Sequence, residues 1–140
     1  MTLTVGQTDD VDACLAVRWV VFVEEQNVPV ADELDGKDDE AVHVLARDGD
    51  KAVGAARILF HDDVAHVGRV AVLRSHRGTG LGAKIMAACI DLARENPDTR
   101  RVVLGAQVYA LPFYERLGFT AFGPVYDDAG IEHRDMELRL

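Results

Sequence analysis

Residues 70–84 read VAVLRSHRGTGLGAK, with glycines at 78, 80 and 82. Before them, Val70, Ala71, Val72 and Leu73 form an apolar run of strand length. After them, Leu81, Ile85, Met86, Ala88, Cys89 and Leu92 recur with the period of an amphipathic helix, which stops at Asn96-Pro97 because proline restricts the residue before it. A glycine turn from strand to helix is suited to anions. Without Cβ atoms, consecutive backbone N–H groups can converge, and the helix N-terminus adds its partial positive charge. Two familiar phosphate cradles do not fit. A Walker A loop needs Gly-Lys-Ser/Thr, and Lys84 follows Ala83. The match of Gly78-Thr79-Gly80-Leu81-Gly82-Ala83 to a dinucleotide fingerprint is offset by Leu73 to Arg77 standing between strand and glycine. The next strand also ends in Gln107 where an acid should meet a ribose.

Working outward, the chain alternates strand and helix signals. Thr8, Asp9 and Asp10 cap a helix with Val11, Cys14, Leu15, Val17, Arg18 and Val21 on one side, ending near Phe22. Residues 41–47 and 52–60 flank Asp48-Gly49-Asp50 as a hairpin, and His61-Asp62-Asp63 leads into a further strand, VAHVGRVAVL. The glycine-turn helix and the strand RRVVLGAQ then complete a right-handed crossover between parallel strands. In ALPFYERLGF, Pro112 suits a first helical turn, Gly118 a C′ position, and Phe119 the apolar partner of that cap. Phe122, Val125-Tyr126 and Met136-Leu138-Leu140 suggest a closing strand pair. The expected fold is α+β: a central mixed sheet made of an antiparallel meander and a β-α-β crossover, with helices on both faces, as one domain over 1–140.

Charge narrows the function. With 24 acidic and 15 basic residues, a net charge of −9 argues against nucleic acid or anionic membrane as partner. No run approaches a bilayer span and the N-terminus lacks a secretion-signal pattern, so a cytoplasmic protein is expected. Cys14 and Cys89 lie far apart in apolar helical patterns and read as buried small hydrophobes, not as a disulfide or a metal site. From Val64 to Ile90 there is no acid, while Arg69, Arg74, Arg77 and Lys84 fall inside that window. The opposite pole is Glu24 to Glu40, with eight acids and one lysine. Arg18, Arg57 and Arg69 stand in apolar stretches and need partners. Ion pairs with the 24–40 segment are the default, and a clamp on a substrate carboxylate is the other choice. His43 and His66 read as packed, hydrogen-bonded strand histidines, and His61-Asp62-Asp63 as a turn without further metal ligands.

Arg77-Gly78-Thr79-Gly80-Leu81-Gly82, an arginine-led loop running into a helix, resembles motif A of the GNAT acetyltransferases. VVLGAQVYALPFYERLGF resembles their motif B. RWVVFVEEQNVP and VYDDAGIEHRDM are similar to segments of the small bacterial ElaA-like (YjcF-like) subgroup, so the resemblance covers nearly the whole chain. It implies transfer of acetyl from acetyl-coenzyme A to a primary amine of a small molecule or peptide, directly in a ternary complex and without a metal. A non-catalytic acyl-coenzyme A sensing module is the alternative. By the same resemblance residues 77–82 hold the pyrophosphate, and Val70, Ala71 and Val72 offer main-chain groups to pantetheine and the acetyl carbonyl. Tyr114 becomes the acid for the leaving thiolate. His133 is the candidate base, with Glu24, Glu25 or ordered water as alternatives. Glu24, Glu25 and Arg69 are candidate acceptor-binding residues, and a homodimer is compatible with the family.

Overall fold

The computed structural model describes residues 2–140. Among them, seven strands form one sheet: β1 (Leu3–Thr8), β2 (Val42–Asp48), β3 (Lys51–His61), β4 (Val64–Val72), β5 (Arg101–Gln107), β6 (Thr120–Asp128) and β7 (Ile131–Arg139), in the order β1-β2-β3-β4-β5-β7-β6. All neighbours are antiparallel except β4 and β5. The parallel pair needs a crossover, supplied by α3 (Leu81–Glu95). The fold is therefore the mixed sheet with helices on both faces that the sequence pattern predicts.

The helices divide the core. α1 (Val11–Arg18) is capped by Asp10, whose side chain accepts from the Ala13 amide at 3.1 Å, and it buries Cys14 and Val17 against Leu45, Ala55 and Ala71. It does not end near Phe22 as expected. A wider helical turn continues through Trp19–Glu25 and carries Val21 into the same cluster. On the opposite face, Leu81, Ile85, Met86 and Cys89 of α3 pack on Val44, Val53, Ile58 and Val102. That cluster also takes Tyr114 from α4 (Leu111–Arg116) and Phe119. Gly118 has φ +100°, and the Phe119 amide donates to the Tyr114 carbonyl at 3.1 Å, closing α4 as its sequence implies. A four-residue helix, α2 (Val30–Glu33), lies in the acidic segment. β1 is an addition to the reading above: Leu3 and Val5 are too few apolar positions to announce a strand, and it forms by pairing with β2.

Candidate functional site

The site begins as a defect in the sheet. β4 and β5 pair only from Val64–His66 to Arg101–Val103. Opposite β3, two residues of β4, Arg69 and Val70, face the single residue Ala56, and Arg69 has φ +52°. Such a bulge bends a strand and increases its twist. From Val67 and Leu104 onward, β4 and β5 keep their outer partners but not each other, and a cavity of about 1110 Å³ opens between them. Val67–Val72 line one wall, and Val103, Leu104, Gly105 and Gln107 the other. The inner edges of these strands are main chain without a ladder partner. This is where the structure places Val70, Ala71 and Val72.

The glycine turn forms the rim at one end. Gly78 and Gly80 have φ of +75° and +84°, while a Cβ at either would meet nothing within 4 Å. The glycines therefore supply backbone conformation and not room. The first helical rung is Lys84 N to Gly80 O at 3.2 Å, so among the described residues the amides of 78–83 have no backbone acceptor. Thr79 Oγ1 donates to the His76 carbonyl at 2.6 Å and ties the loop down. Arg77 donates from Nε to the Val72 carbonyl at 3.0 Å and from its guanidinium to Glu25 Oε2 at 2.7 Å. Arg77 and Gly82 reach the cavity wall. Leu81 buries its side chain in the core and offers only its amide.

Tyr114 stands beside that rim with Gly82 and Phe113. It is buried edge-on between Phe113 (4.9 Å) and Phe119 (6.0 Å), and burial pushes its phenol up to about 12. Elsewhere on the wall, His133 Nδ1 lies 2.8 Å from the Ile131 carbonyl. A carbonyl only accepts, so Nδ1 carries the proton and Nε2 of the neutral ring keeps its lone pair. The Tyr126 ring stacks on His133 at 5.9 Å, and the Tyr126 hydroxyl donates to Asp135 Oδ1 at 2.7 Å.

The three arginines in apolar stretches converge on the acidic segment. Arg18, Glu33 and Arg57 are 1%, 3% and 5% exposed. Arg18 binds Glu33 Oε1 at 2.5 Å and Asp38 Oδ1 at 2.7 Å. Arg57 grips both oxygens of Asp35 and reaches Asp38 at 3.2 Å. Arg69 donates to the Asp32 and Glu33 carbonyls at 3.0 and 3.2 Å and to Asp35 at 3.3 Å. His43 adds a bond to the Asp38 carbonyl at 2.9 Å. The Arg57 bond holds the Asp35 carboxyl well below the usual carboxylate range. Burial works against the Asp38 charge, but Arg18 and Arg57 more than reverse it. For Arg69, burial and the nearby Arg57 push the guanidinium down.

Several expected site residues separate. Arg69 is on the cavity wall but committed to loop carbonyls and carboxylates. Glu24 is exposed and Glu25 belongs to Arg77, and both stand outside the wall. His66 is not packed: it is exposed on the cavity side, as the last residue of β4 that pairs with β5. Partial desolvation, with His61, Arg101 and Lys37 adding to it, lowers its pKa. Sequence reading also misses the bond from Gln107 to Gln26 at 2.9 Å, which joins two residues of the cavity lining. Nothing in either local sequence announces a contact 81 positions apart. His61 and Asp62 form an exposed pair at 3.4 Å in their turn. Among the described residues no cluster of His, Cys, Asp or Glu is arranged for a metal, and no helix is long and apolar enough to cross a membrane.

Residues 18–140 match the family described as the acetyltransferase (GNAT) domain. The chain is 40% identical over 121 residues to the uncharacterized N-acetyltransferase YjcF of Bacillus subtilis, covering 86% of each. It is 36% identical to protein ElaA of Escherichia coli over 129 residues, 89% of this chain and 84% of that one. The crystal structure of Escherichia coli ElaA superposes with a TM-score of 0.84, at 32% identity and 97% coverage of both chains. An acyl-CoA N-acyltransferase from Pseudomonas aeruginosa gives 0.83 at 31% identity, also covering 97% of both.

Proposed function

The chain belongs to the GNAT acetyltransferase family, which implies acyl transfer from acyl-coenzyme A, and on that premise we propose that it acetylates a primary amine of a small molecule directly from acetyl-coenzyme A. The observation that carries this reading is one cavity with two chemistries. Unpaired amides and Arg77 stand at one end, and a histidine with a free Nε2 lies on the wall of the same space.

The free amides of 78–83 suit the pyrophosphate of coenzyme A, and the inner edge of Val70–Val72 suits pantetheine and the acetyl carbonyl. An alkylammonium has a reference pKa of about 10.4, so most of the acceptor arrives protonated. His133 Nε2 takes one proton and leaves the nitrogen lone pair free to attack the thioester carbon. As the carbon–sulfur bond breaks, Tyr114 protonates the sulfur, and the second proton shed by the attacking nitrogen restores the phenol. A phenol at about 12 stays protonated at neutral pH and yields its proton only late, so its main contribution is a hydrogen bond to sulfur while negative charge develops.

The test is thermal unfolding with acetyl-coenzyme A, coenzyme A, NADP and ATP, followed by turnover of acetyl-coenzyme A with aliphatic amines, diamines and amino acids. A ligand at a hundredfold its Kd adds about 2.7 kcal/mol, several degrees for a domain of this size. A shift confined to the coenzyme A pair, followed by amine-dependent turnover, is expected. A shift with NADP or ATP alone overturns the reading. A coenzyme A shift without turnover of any amine leaves the sensing module.

A further inference from the structure

The candidate base is braced by residues outside the reaction. His133 on β7 is the register partner of Tyr126 on β6 and of Gln107 on β5. Tyr126 sits on the edge strand where β6 slips register between Phe122 and Tyr126, and it is 37% exposed, so core burial does not account for its placement. Its ring nonetheless stacks on the imidazole at 5.9 Å with an interplanar angle of 24°. Its hydroxyl is anchored on Asp135, two residues beyond His133 on the same face of β7.

The slot for that hydroxyl depends on residue 105. A Cβ on Gly105 would fall inside contact distance of Tyr126 Oη, and 3.7 Å from Asp135 Oδ1. Gly105 and Asp135 are themselves register partners. Gly105, unlike the glycines of the turn, therefore supplies room. An imidazole held only by its Nδ1–H bond to Ile131 can still rock about the Cβ–Cγ axis. A fixed aromatic ring on one face restricts that motion.

We propose that Tyr126 is a positioning residue for acetyl transfer: seated by Asp135 in the slot opened at Gly105, it holds the His133 ring so that Nε2 stays in the cavity wall as the proton acceptor. The inference rests on His133 as the base. Misplacement of a catalytic group by about 1 Å costs on the order of a hundredfold in rate.

The experiment is a double-mutant cycle on kcat with a turned-over amine, in wild-type and His133→Gln backgrounds. In the wild-type background Tyr126→Leu, which loses ring and anchor, is expected to lower kcat on the order of ten- to a hundredfold. Tyr126→Phe, which keeps the ring, should cost less, and Gly105→Ala should follow Tyr126→Leu. The KM for acetyl-coenzyme A should hold. In the His133→Gln background the Tyr126 substitutions should add less than about twofold, since there is no base left to position. An equal loss in both backgrounds overturns the proposal, as does a wild-type rate for Tyr126→Leu while His133→Gln is slow. A wild-type rate for His133→Gln removes the base, and the inference with it. If no amine turns over, two-bond ¹H–¹⁵N correlation of the His133 imidazole decides. Tyr126→Leu should convert an Nδ1–H ring into a tautomer mixture, and an unchanged spectrum overturns the proposal. Should Gly105→Ala fail to fold, the exposed Tyr126 variants carry the test alone.

Discussion

At the glycine end of the cavity the groups free to meet a ligand are main-chain amides set by two left-handed glycines two positions apart; at the other end the polar groups are side chains, held by partners 15 to 37 positions away in the 26–40 loop. The first arrangement is made by the turn itself and needs little from the rest of the protein. The second exists only once α1, the acidic segment, β3 and β4 have met. A backbone cradle thus tolerates change around it, whereas the arginine–carboxylate network gains or loses several contacts at once. The same contrast separates the two kinds of glycine: Gly78 and Gly80 act through φ, and Gly105 through space.

The sharpest way to break this contrast is Arg18→Ala. It takes the most buried guanidinium of the network from Glu33 and Asp38, leaving Glu33 only Arg69 at 3.5 Å and Asp38 only Arg57 at 3.2 Å, and should cost about 3–5 kcal/mol by denaturant unfolding. A loss below about 1 kcal/mol would place this network with ordinary surface ion pairs. Tyr114→Phe, beside the glycine rim, should lower kcat on the order of a hundredfold while calorimetry finds the affinity for acetyl-coenzyme A unchanged. Full turnover would remove Tyr114 from the mechanism. Gly80→Ala should cost about 1–2 kcal/mol for a side chain at φ +84°, and weaken coenzyme A binding in titration without altering the kcat of the saturated enzyme. Unchanged affinity would show that the turn conformation does not matter for the ligand.

The smallest effect is one of slope. Asp35 and Asp38 titrate below the ordinary carboxylate value of about 4 in the folded state. Their stabilisation is complete above that value and lost as pH falls through the lower, folded one. Asp35→Asn removes one share, so its stability should fall less steeply than wild type below about pH 4. A parallel acid limb would detach Asp35 from the network.

Much of the fold was legible because its signals are local. The Asp48-Gly49-Asp50 hairpin, the α3 periodicity, the Pro112 start and Gly118 stop of α4, and the glycine turn each fit within about fifteen residues. β1 was not legible, since two apolar residues become a strand only beside β2. His66 differs from its expected packing because alternation marks a strand's faces but not which residues of a face end up covered. The pairing of Arg18, Arg57 and Arg69 with the acidic segment was legible from their apolar surroundings, but not the individual partners: Arg18 binds Glu33 and Asp38, Arg57 takes Asp35 and Asp38, and Arg69 reaches Asp35, while Glu25 turns to Arg77.

Most of the order of strands and helices after β1, the glycine turn and the family resemblance were determined by sequence alone, because each follows from backbone preference and the spacing of near neighbours. Only the tertiary structure decided where β4 and β5 part, which carboxylate each arginine takes, and that a glycine on β5 leaves room for a tyrosine on β6 beside a histidine on β7. Those outcomes depend on distances between segments remote in the chain, and side-chain identities without coordinates do not specify such distances.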